Sequence, residues 1–353
     1  MNIIDGVLGM KKYNVGSLFA GVGGICAAFK SAACDVIWAN EVDSHSCETY
    51  ELNHKDTFLI KDDIRNLKTV PYVDILTAGF PCQPFSMAGS ARGFDDERGQ
   101  LFFDVVRILK EVKPSAYLLE NVKTLCTHDD GKSFKRISKH LRDAGYSFIP
   151  FVLRASDCTS IPQGRERVYI VGFKGESHFF YDDRVSFNEK FLFNAPLSSS
   201  FRIPGSKKVK NKSIRDYLEA DTVLGTDIYN DRSNKIHKRV IDAAVDKDKV
   251  YQYRRYFVRE NKSNVCPTLT ANMGDGGHNI PIILDGDFPR RLTPKECFNL
   301  QGFRRKFKLP ENIARSRLYK QAGNTVVVPV VAMIAKEMVR VLSENTNCKS
   351  KSK

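Results

Sequence analysis

The sequence predicts an α/β fold in which a doubly wound, mostly parallel sheet is followed by a second, smaller and irregular domain. From residue 13 to about residue 173, short apolar runs alternate with helix-like segments, the pattern of a parallel sheet with crossover helices. That alternation stops after residue 173, and residues 175–289 mix aromatic residues, Lys, Asn and Gly. With 353 residues, 42% of them hydrophobic, the chain is long enough for about two domains and a large core.

The elements of the first domain follow from the spacing of the apolar residues. Strands are predicted over residues 14–19, 36–40, 73–78, 116–119, 149–153 and 168–173, and helices over residues 24–31, 44–53, 100–113 and 134–144. After the second domain, a helix is predicted over residues 293–301, with Thr293 as its cap and Pro294 at its first position. Residues 321–342 are predicted as a strand-like or loop entry followed by a C-terminal helix.

The charge and the cysteines limit the class of protein. The net charge is +14, and the last 65 residues hold fifteen basic and four acidic side chains. Such a block favours a surface that faces a polyanion, although a solvated surface helix would also explain it. The nine cysteines include no C-x-x-C pair, and no apolar run approaches 18 residues. We therefore expect no metal, no disulfide lattice, no membrane partner and a cytoplasmic location.

A glycine-rich loop follows the first predicted strand. Residues 15–24 read as an apolar strand that runs into glycines and then into a helix, which lets a ligand approach the backbone at a helix N-terminus. Glu41 lies 20 residues beyond Gly21 at the end of the next strand, where a carboxylate can accept hydrogen bonds from ribose hydroxyls. Asp63 could accept from an adenine amino group, and Phe19 offers an aromatic face. Together these residues indicate a nucleoside pocket, although a structural turn would also account for the glycines.

A cysteine and a glutamate follow two other predicted strands. Cys82 lies between Pro81 and Pro84, which stiffen the backbone around the thiol, and the strand at 116–119 leads directly into Glu120. Because ligands bind at the carboxyl edge of such a sheet, we expect the two side chains to converge there. Taken alone, Cys82 could be an inert buried thiol, and Glu120 could be a helix cap or a surface acid. Their joint placement beside a nucleoside pocket favours a catalytic pair.

Six sequence blocks, in this order, resemble those of the bacterial cytosine-5 DNA methyltransferases of restriction–modification systems. The blocks are FAGVGG at 19–24, GFPCQPFS at 79–86, ENV at 120–122, QGRERV at 163–168, RLTPKECFNLQG at 291–302 and QAGNTV at 321–326. The resemblance spans nearly the whole chain. It implies the S-adenosylmethionine-dependent methyltransferase fold, with S-adenosylmethionine as the cofactor.

The resemblance also implies roles for four catalytic residues. The thiolate of Cys82 would add to cytosine C6 and make C5 nucleophilic. Protonated Glu120 would hydrogen-bond N3, and Arg167 would contact O2. Arg165 would help to hold Glu120 or the thiol region. A base, which we take to be water, would then remove the C5 proton. The residues implied for cofactor binding are Phe19, Gly21, Gly23, Gly24, Glu41, Asp63, Pro81, Asn324 and Val326.

The target cytosine lies inside double-stranded DNA, so the resemblance implies that it is flipped out. Residues 86–99 resemble a loop that closes over DNA, and residues 268–279 resemble a target-recognition segment. The implied DNA contacts are Ser86, Arg92, Arg98, Arg254, Arg255, Thr268, Leu269 and Thr270. The implied domains are a discontinuous catalytic and cofactor-binding domain at 13–174 plus 290–345, a target-recognition domain at 175–289 and a loose tail at 346–353. The lineage implies a monomer with a cognate restriction endonuclease.

Three other functions fit parts of the sequence. A tRNA cytosine-5 methyltransferase would share the fold, but the long second domain favours duplex DNA. A catalytically idle DNA-binding protein would have no need of Cys82, Glu120 and both arginines together. A nicotinamide dehydrogenase would require glycine at position 26, which is Cys26, and would leave the Pro-Cys-Gln segment without a role.

Overall fold

A computed structural model describes residues 12–81, 97–175, 201–205, 208–219, 228–254, 256–261, 264–275 and 279–351. Cys82, Ser86, Arg92 and Arg255 lie outside these ranges, and only the backbone of Arg98 is described. The roles expected of these five side chains therefore remain predictions from the sequence.

The main sheet has seven strands in the order β3-β2-β1-β4-β5-β7-β6. The strands are β1 (Asn14–Leu18), β2 (Asp35–Asn40), β3 (Phe58–Ile60), β4 (Ile75–Ala78), β5 (Ala116–Val122), β6 (Ile149–Arg154) and β7 (Glu166–Phe173). Strands β1 to β5 pair in parallel, whereas β7 is antiparallel to both β5 and β6. This confirms the doubly wound, mostly parallel sheet. The chain winds outward from β1 to β3 and then returns to β4 beside β1, so the strand order reverses between β1 and β4. Ligands bind at such a reversal.

Nine α-helices occur in the described residues. They are α1 (Gly24–Ser31), α2 (Ser44–Asn53), α3 (Glu97–Val112), α4 (Lys132–Asp143), α5 (Ala155–Cys158), α6 (Lys235–Ala243), α7 (Pro294–Leu300), α8 (Arg315–Asn324) and α9 (Val328–Lys351). Helix α7 has the predicted cap, because Thr293 and Glu296 each bond to the other's backbone N–H. None of these helices is both long enough and apolar enough to cross a membrane.

One prediction near the C-terminus is wrong. Residue 321 was expected to begin a strand-like or loop entry, but it lies within helix α8. The buried residues Leu318, Tyr319 and Ala322 recur at helical spacing and anchor this helix. The cationic and polar residues between them weaken the apolar pattern, which is why the helix was not predicted.

The two faces of the main sheet carry separate apolar clusters. Helices α1 and α9 cover one face, where Phe29 lies in the same cluster as Val331 and Met338. Helices α3 and α4 cover the other face, through residues such as Phe102 and Ile137. The C-terminal helix therefore returns to pack beside the first helix of the chain. This brings the segment around Asn324 to the same end of the sheet as the glycine loop.

The second part of the chain contains a small antiparallel sheet in the order β11-β10-β8-β9. Its strands are β8 (Tyr251–Arg254), β9 (Phe257–Glu260), β10 (Ile282–Asp285) and β11 (Phe288–Arg291). A separate apolar cluster that includes Tyr229, Val240 and Tyr253 packs against this sheet. The region that was expected to be irregular thus has an ordered scaffold made of strands of only four residues each.

Candidate active site

One cavity of about 290 Å³ lies where β1, β4 and β5 end. The predicted site residues that line it come from distant parts of the sequence: Phe19, Gly21, Gly24, Glu41, Pro81, Glu120, Arg165, Arg167, Asn324 and Val326. The fold thus brings together ten residues for which the sequence predicts a role in catalysis or cofactor binding. Pro81 is the last described residue before Cys82, so the predicted nucleophile follows the cavity wall directly in the chain.

The glycine loop that follows β1 shapes one wall of this cavity. Phe19, Gly21 and Gly23 have positive φ angles of 52°, 55° and 87°, which turn the chain sharply into α1. A Cβ atom on Gly24 would lie 2.3 Å from Thr325 Oγ1, and one on Gly23 would lie 2.2 Å from His54 Nε2. Gly24 is therefore needed for the close approach of α1 to the segment between α8 and α9. Gly23 does not line the cavity but packs against His54.

Glu41 connects the end of β2 to the glycine loop. Its Oε2 accepts a hydrogen bond from the Gly21 N–H at 2.8 Å, and its Oε1 accepts from the Val42 and Asp43 N–H groups at 2.9 and 2.8 Å. Burial raises the pKa of this carboxyl, and the three backbone hydrogen bonds oppose that shift. Because Oε2 accepts one bond from the described residues, it keeps capacity for a ligand hydroxyl.

Asp63 does not line this cavity. Its carboxylate accepts from the backbone N–H of Arg65 at 2.9 Å and forms an ion pair with the Arg65 guanidinium at 2.7 Å. It thereby caps the short 3-10 turn Ile64–Asn66. The structure thus places Asp63 apart from the ten cavity residues, and its contact with an adenine amino group remains a prediction.

Glu120 and Arg167 form the polar centre of the cavity. The antiparallel register pairs Glu120 with Tyr169 and Val122 with Arg167, so the two charged residues are diagonal neighbours on one face of the sheet. Arg167 Nε lies 3.0 Å from Glu120 Oε1, and both side chains are largely buried. A carboxyl group beside a guanidinium group can contact adjacent ring positions of a pyrimidine, such as N3 and O2.

Arg165 lies two residues before Arg167 but makes different contacts. It is 3% exposed, and its guanidinium donates to the carbonyl oxygens of Leu269 at 2.8 Å and Gly323 at 3.0 Å. Through these two hydrogen bonds, Arg165 joins the segment around Leu269 to the segment that carries Asn324.

The predicted recognition segment lies beside the cavity. The Gly164 N–H donates to the Cys266 carbonyl at 2.8 Å, and the Cys266 N–H donates to the Pro162 carbonyl at 2.7 Å. The Thr268 hydroxyl donates to the Gly164 carbonyl at 3.1 Å. The Leu269 side chain is buried in the core, whereas Thr270 is exposed. Of the three residues of this segment that were assigned to DNA, Thr270 therefore offers the most accessible side chain.

A polar face of helix α8 also borders the cavity and was not predicted from the sequence. Arg317, Lys320 and Gln321 line the cavity together with Asn324, at the spacing of successive helical turns. That spacing was visible in the sequence, but no helix was predicted here, because residues 302–320 were assigned no element and residue 321 was expected to begin a strand or a loop. Gln321 Oε1 accepts from the Thr49 hydroxyl at 2.9 Å, and its amide nitrogen has no hydrogen-bond partner among the described residues.

Comparisons with known proteins identify the family of this chain. A family model described as C-5 cytosine-specific DNA methylase matches residues 13–340. Type II methyltransferase M.Bsp6I of Bacillus sp. (strain RFL6) is 43% identical over 331 residues, which cover 92% of this chain and 98% of that protein. Type II methyltransferase M.NlaX of Neisseria lactamica is 36% identical over 345 residues, covering 94% and 97%.

The fold also matches a solved structure. The S. pombe Dnmt2 methyltransferase aligns over 94% of this chain and 99% of its own, with a TM-score of 0.67 and 22% identity. This likeness concerns the fold alone. Together with the family match over nearly the whole length, it leads to one assignment: the chain belongs to the C-5 cytosine-specific DNA methylase family.

Proposed function

We propose that this chain is the modification enzyme of a type II restriction–modification system and methylates cytosine within one short sequence of duplex DNA. Family membership makes C5 of cytosine in double-stranded DNA the methylated position and S-adenosylmethionine the cofactor. The Glu120–Arg167 pair carries the proposal, because it places pyrimidine-binding groups in the same cavity as the glycine loop. The 43% identity to M.Bsp6I supports the restriction–modification role.

The cavity offers suitable partners for S-adenosylmethionine. Phe19 supplies an aromatic face, Glu41 an acceptor for ribose hydroxyls, and the Gln321 amide a donor without a partner in the described residues. Lys320 and Arg317 add positive charge that suits the carboxylate of the cofactor's amino-acid end. When bound, S-adenosylmethionine supplies the methyl group that C5 receives.

The protein's own groups activate the cytosine. The Cys82 sulfur adds to C6, and the electron pair of the C5–C6 double bond becomes available at C5. Protonated Glu120 donates a hydrogen bond to N3 and stabilises the charge that builds on the ring, while Arg167 donates to O2. After C5 has been alkylated, a water molecule removes the C5 proton and the Cys82–C6 bond breaks. Arg165 acts as a positioning residue through the carbonyls of Leu269 and Gly323.

DNA is contacted from two sides. The loop that closes over the flipped base contacts it through Ser86, Arg92 and Arg98. The target-recognition domain contacts it through Arg254, Arg255 and Thr270.

The chain forms two domains. The catalytic domain comprises residues 13–174 and 290–345, and the target-recognition domain comprises residues 175–289. The enzyme acts as a monomer in the cytoplasm, where a cognate endonuclease would cut the same unmethylated sequence.

Methyl transfer to plasmid DNA tests this function. Purified protein is incubated with labelled S-adenosylmethionine and either unmethylated plasmid or tRNA, and the plasmid is then sequenced after bisulfite treatment. We expect label in the plasmid and methylated cytosine at one short recurring sequence. An endonuclease that recognises this sequence should then leave the plasmid uncut. Label confined to tRNA, or methylation scattered without a common sequence, would contradict the proposal.

A further inference from the structure

Two buried glutamines connect the predicted recognition segment to helix α8. The side chains of Gln163 and Gln301 are fully buried. Gln163 Oε1 accepts from the Leu269 N–H at 3.4 Å, and Gln163 Nε2 donates to Gln301 Oε1 at 3.2 Å. Gln301 Nε2 in turn donates to the Ala322 carbonyl at 2.6 Å. The two amides thus form a chain of hydrogen bonds from Leu269 to the last turn of α8.

Arg165 closes this chain into a ring. Its guanidinium donates to the Leu269 carbonyl at 2.8 Å and to the Gly323 carbonyl, which follows Ala322, at 3.0 Å. The backbone of Leu269 is therefore held at both its N–H and its C=O. The carbonyls in the last turn of a helix have no partner within the helix, so Gln301 and Arg165 cap the end of α8. The positive charge of Arg165 also suits this end of the helix dipole.

The recognition segment lies directly against α8. A Cβ atom on Gly323 would lie 2.2 Å from the carbonyl carbon of Thr270 and 2.4 Å from the Ala271 nitrogen. A Cβ atom on Gly274 would lie 3.0 Å from the Cβ atom of Tyr319, in the middle of α8. The backbone of the segment therefore docks on this helix at two places, both of which have glycine because no side chain would fit.

The same helix forms a wall of the cofactor cavity. Its residues that line the cavity are Arg317, Lys320, Gln321, Gly323 and Asn324. Thr270, which lies against Gly323, has an exposed side chain and contacts DNA in the proposed function. The cofactor side and the DNA side of the protein thus meet at the end of α8.

The ring should open and close as a unit. Its members are buried, so the loss of one hydrogen bond leaves a polar group without a partner and without water. Partly closed arrangements are therefore unfavourable, and the segment is either docked with the ring closed or undocked with the ring open. A ligand that prefers one of two such states shifts the protein toward that state.

We propose that the ring of Gln163, Gln301 and Arg165 couples cofactor binding to DNA binding. A cofactor in the cavity stabilises the end of α8, and the closed ring then holds Leu269 and Thr270 in the docked arrangement that duplex DNA binds. Because such coupling is reciprocal, DNA strengthens cofactor binding by the same factor. Gln163 and Gln301 are positioning residues that act through α8 and Leu269. This inference rests on the proposed function, because it takes duplex DNA as the ligand of the recognition segment.

The experiment measures this coupling in the full chain. S-adenosylhomocysteine, the product that remains after methyl transfer, replaces the cofactor so that no turnover occurs. Fluorescence anisotropy gives the Kd of a labelled duplex with and without saturating S-adenosylhomocysteine. The duplex carries the sequence identified by bisulfite sequencing. Titration calorimetry gives the Kd of S-adenosylhomocysteine with and without the same duplex.

The variants are Gln163→Met, Gln301→Met and the two combined. Methionine keeps the length of the side chain but removes the amide. Tyr146→Phe is the matched control, because it removes one buried hydrogen bond, from the Tyr146 hydroxyl to the Pro114 carbonyl at 2.8 Å. Tyr146 belongs to the apolar cluster on the face of the main sheet opposite to Leu269.

In the wild type, S-adenosylhomocysteine should lower the Kd for the duplex at least about fivefold. Each glutamine variant should reduce this factor to less than about twofold. The combined variant should lose little more than either single variant, since both interrupt the same chain of hydrogen bonds. Tyr146→Phe should keep the wild-type factor. A wild type without coupling, full coupling in either glutamine variant, or an equal loss in Tyr146→Phe would overturn the proposal.

Hydrogen exchange in the wild type tests the same link without a variant and without DNA. S-adenosylhomocysteine should slow the exchange of the backbone amides of residues 266–272, which include the Leu269 N–H. Unchanged exchange would overturn the proposal even if a glutamine variant failed to fold. A wild type that shows this protection but transfers no methyl group to duplex DNA would overturn the proposed function and leave the link between the cavity and the segment standing.

Discussion

The Nε atom of Arg167 lies 3.0 Å from Oε1 of Glu120, across the antiparallel junction of β5 and β7. The reversal of β7 in an otherwise parallel sheet creates this pair, because it brings the start of β7 to the end of β5. Both groups then line the cavity that the glycine loop and Pro81 also border. In the proposed mechanism, this pair binds the flipped cytosine.

Replacing Glu120 tests the role of its proton. Glu120→Gln keeps the size of the side chain but removes the acid, so we expect kcat to fall by about 10²- to 10⁴-fold. The dissociation constant for duplex DNA should change little, because most of the affinity comes from phosphate contacts. Steady-state methyl transfer and anisotropy measure the two quantities. A Glu120→Gln enzyme with kcat within twofold of wild type would show that the carboxyl is not needed.

Replacing Glu41 tests the cofactor side of the cavity. Glu41→Gln replaces one accepting oxygen with an amide donor, which would face backbone N–H groups of the glycine loop or of residues 42–43. Loss of hydrogen bonds to a charged group should raise the KM for S-adenosylmethionine at least about tenfold. Affinity for DNA in the absence of cofactor should stay unchanged and serves as the control. An unchanged KM would place the cofactor elsewhere.

Stability should fall in mild acid because of His54. This imidazole packs against Gly23 and Tyr50, and burial lowers its pKa to about 4 from a usual value near 6.5. Between pH 6.5 and 4 the unfolded chain therefore binds a proton that the folded chain does not. The free energy of unfolding should decrease as pH falls through this window, by up to roughly 3 kcal/mol from this group.

Urea unfolding at several pH values measures this effect. The non-titrating variant His54→Gln should lose this part of the pH dependence while keeping the contribution of the carboxyl groups. The same slope in wild type and His54→Gln between pH 6.5 and 4 would contradict the assignment.

A buried ion pair holds the small sheet against helix α7. Arg290 donates to both carboxylate oxygens of Glu296 at 2.8 and 2.9 Å, and both side chains are almost fully buried. Glu296→Ala removes both of these hydrogen bonds from a guanidinium that also pairs with Asp285 at 2.7 Å. We expect a loss of about 3 to 5 kcal/mol in the free energy of unfolding.

An exposed ion pair provides the control for Glu296→Ala. Arg232 and Asp242 lie 2.8 Å apart with both side chains exposed. Asp242→Ala should cost less than about 1 kcal/mol, because solvent screens such pairs. Similar losses in the two variants would contradict a special role for the buried pair.

The sequence allowed much of the cavity to be predicted, because several of its residues lie at or just beyond the carboxyl ends of buried strands. Glu41 and Glu120 each end an apolar run, and in a doubly wound sheet such positions meet at one edge. The direction of β7 could not be predicted, since a buried strand has the same apolar pattern in either orientation. Helix α8 was missed because Arg317 and Lys320 interrupt its apolar residues. The position of Arg165 depends on tertiary contacts with Leu269 and Gly323, which no local pattern encodes. Asp63 instead makes a local cap with Arg65.

Covalent trapping tests the central claim most directly, namely that the Cys82 sulfur bonds to cytosine C6. The substrate is duplex DNA in which 5-fluorocytosine replaces cytosine at the methylated position, with S-adenosylmethionine present. Fluorine cannot leave C5 as the proton does, so the protein should remain attached to the DNA under denaturing conditions. Peptide mass spectrometry should locate the bond at Cys82, and Cys82→Ala should form no adduct. An active wild type that forms no adduct, or an equal yield from Cys82→Ala, would contradict the mechanism.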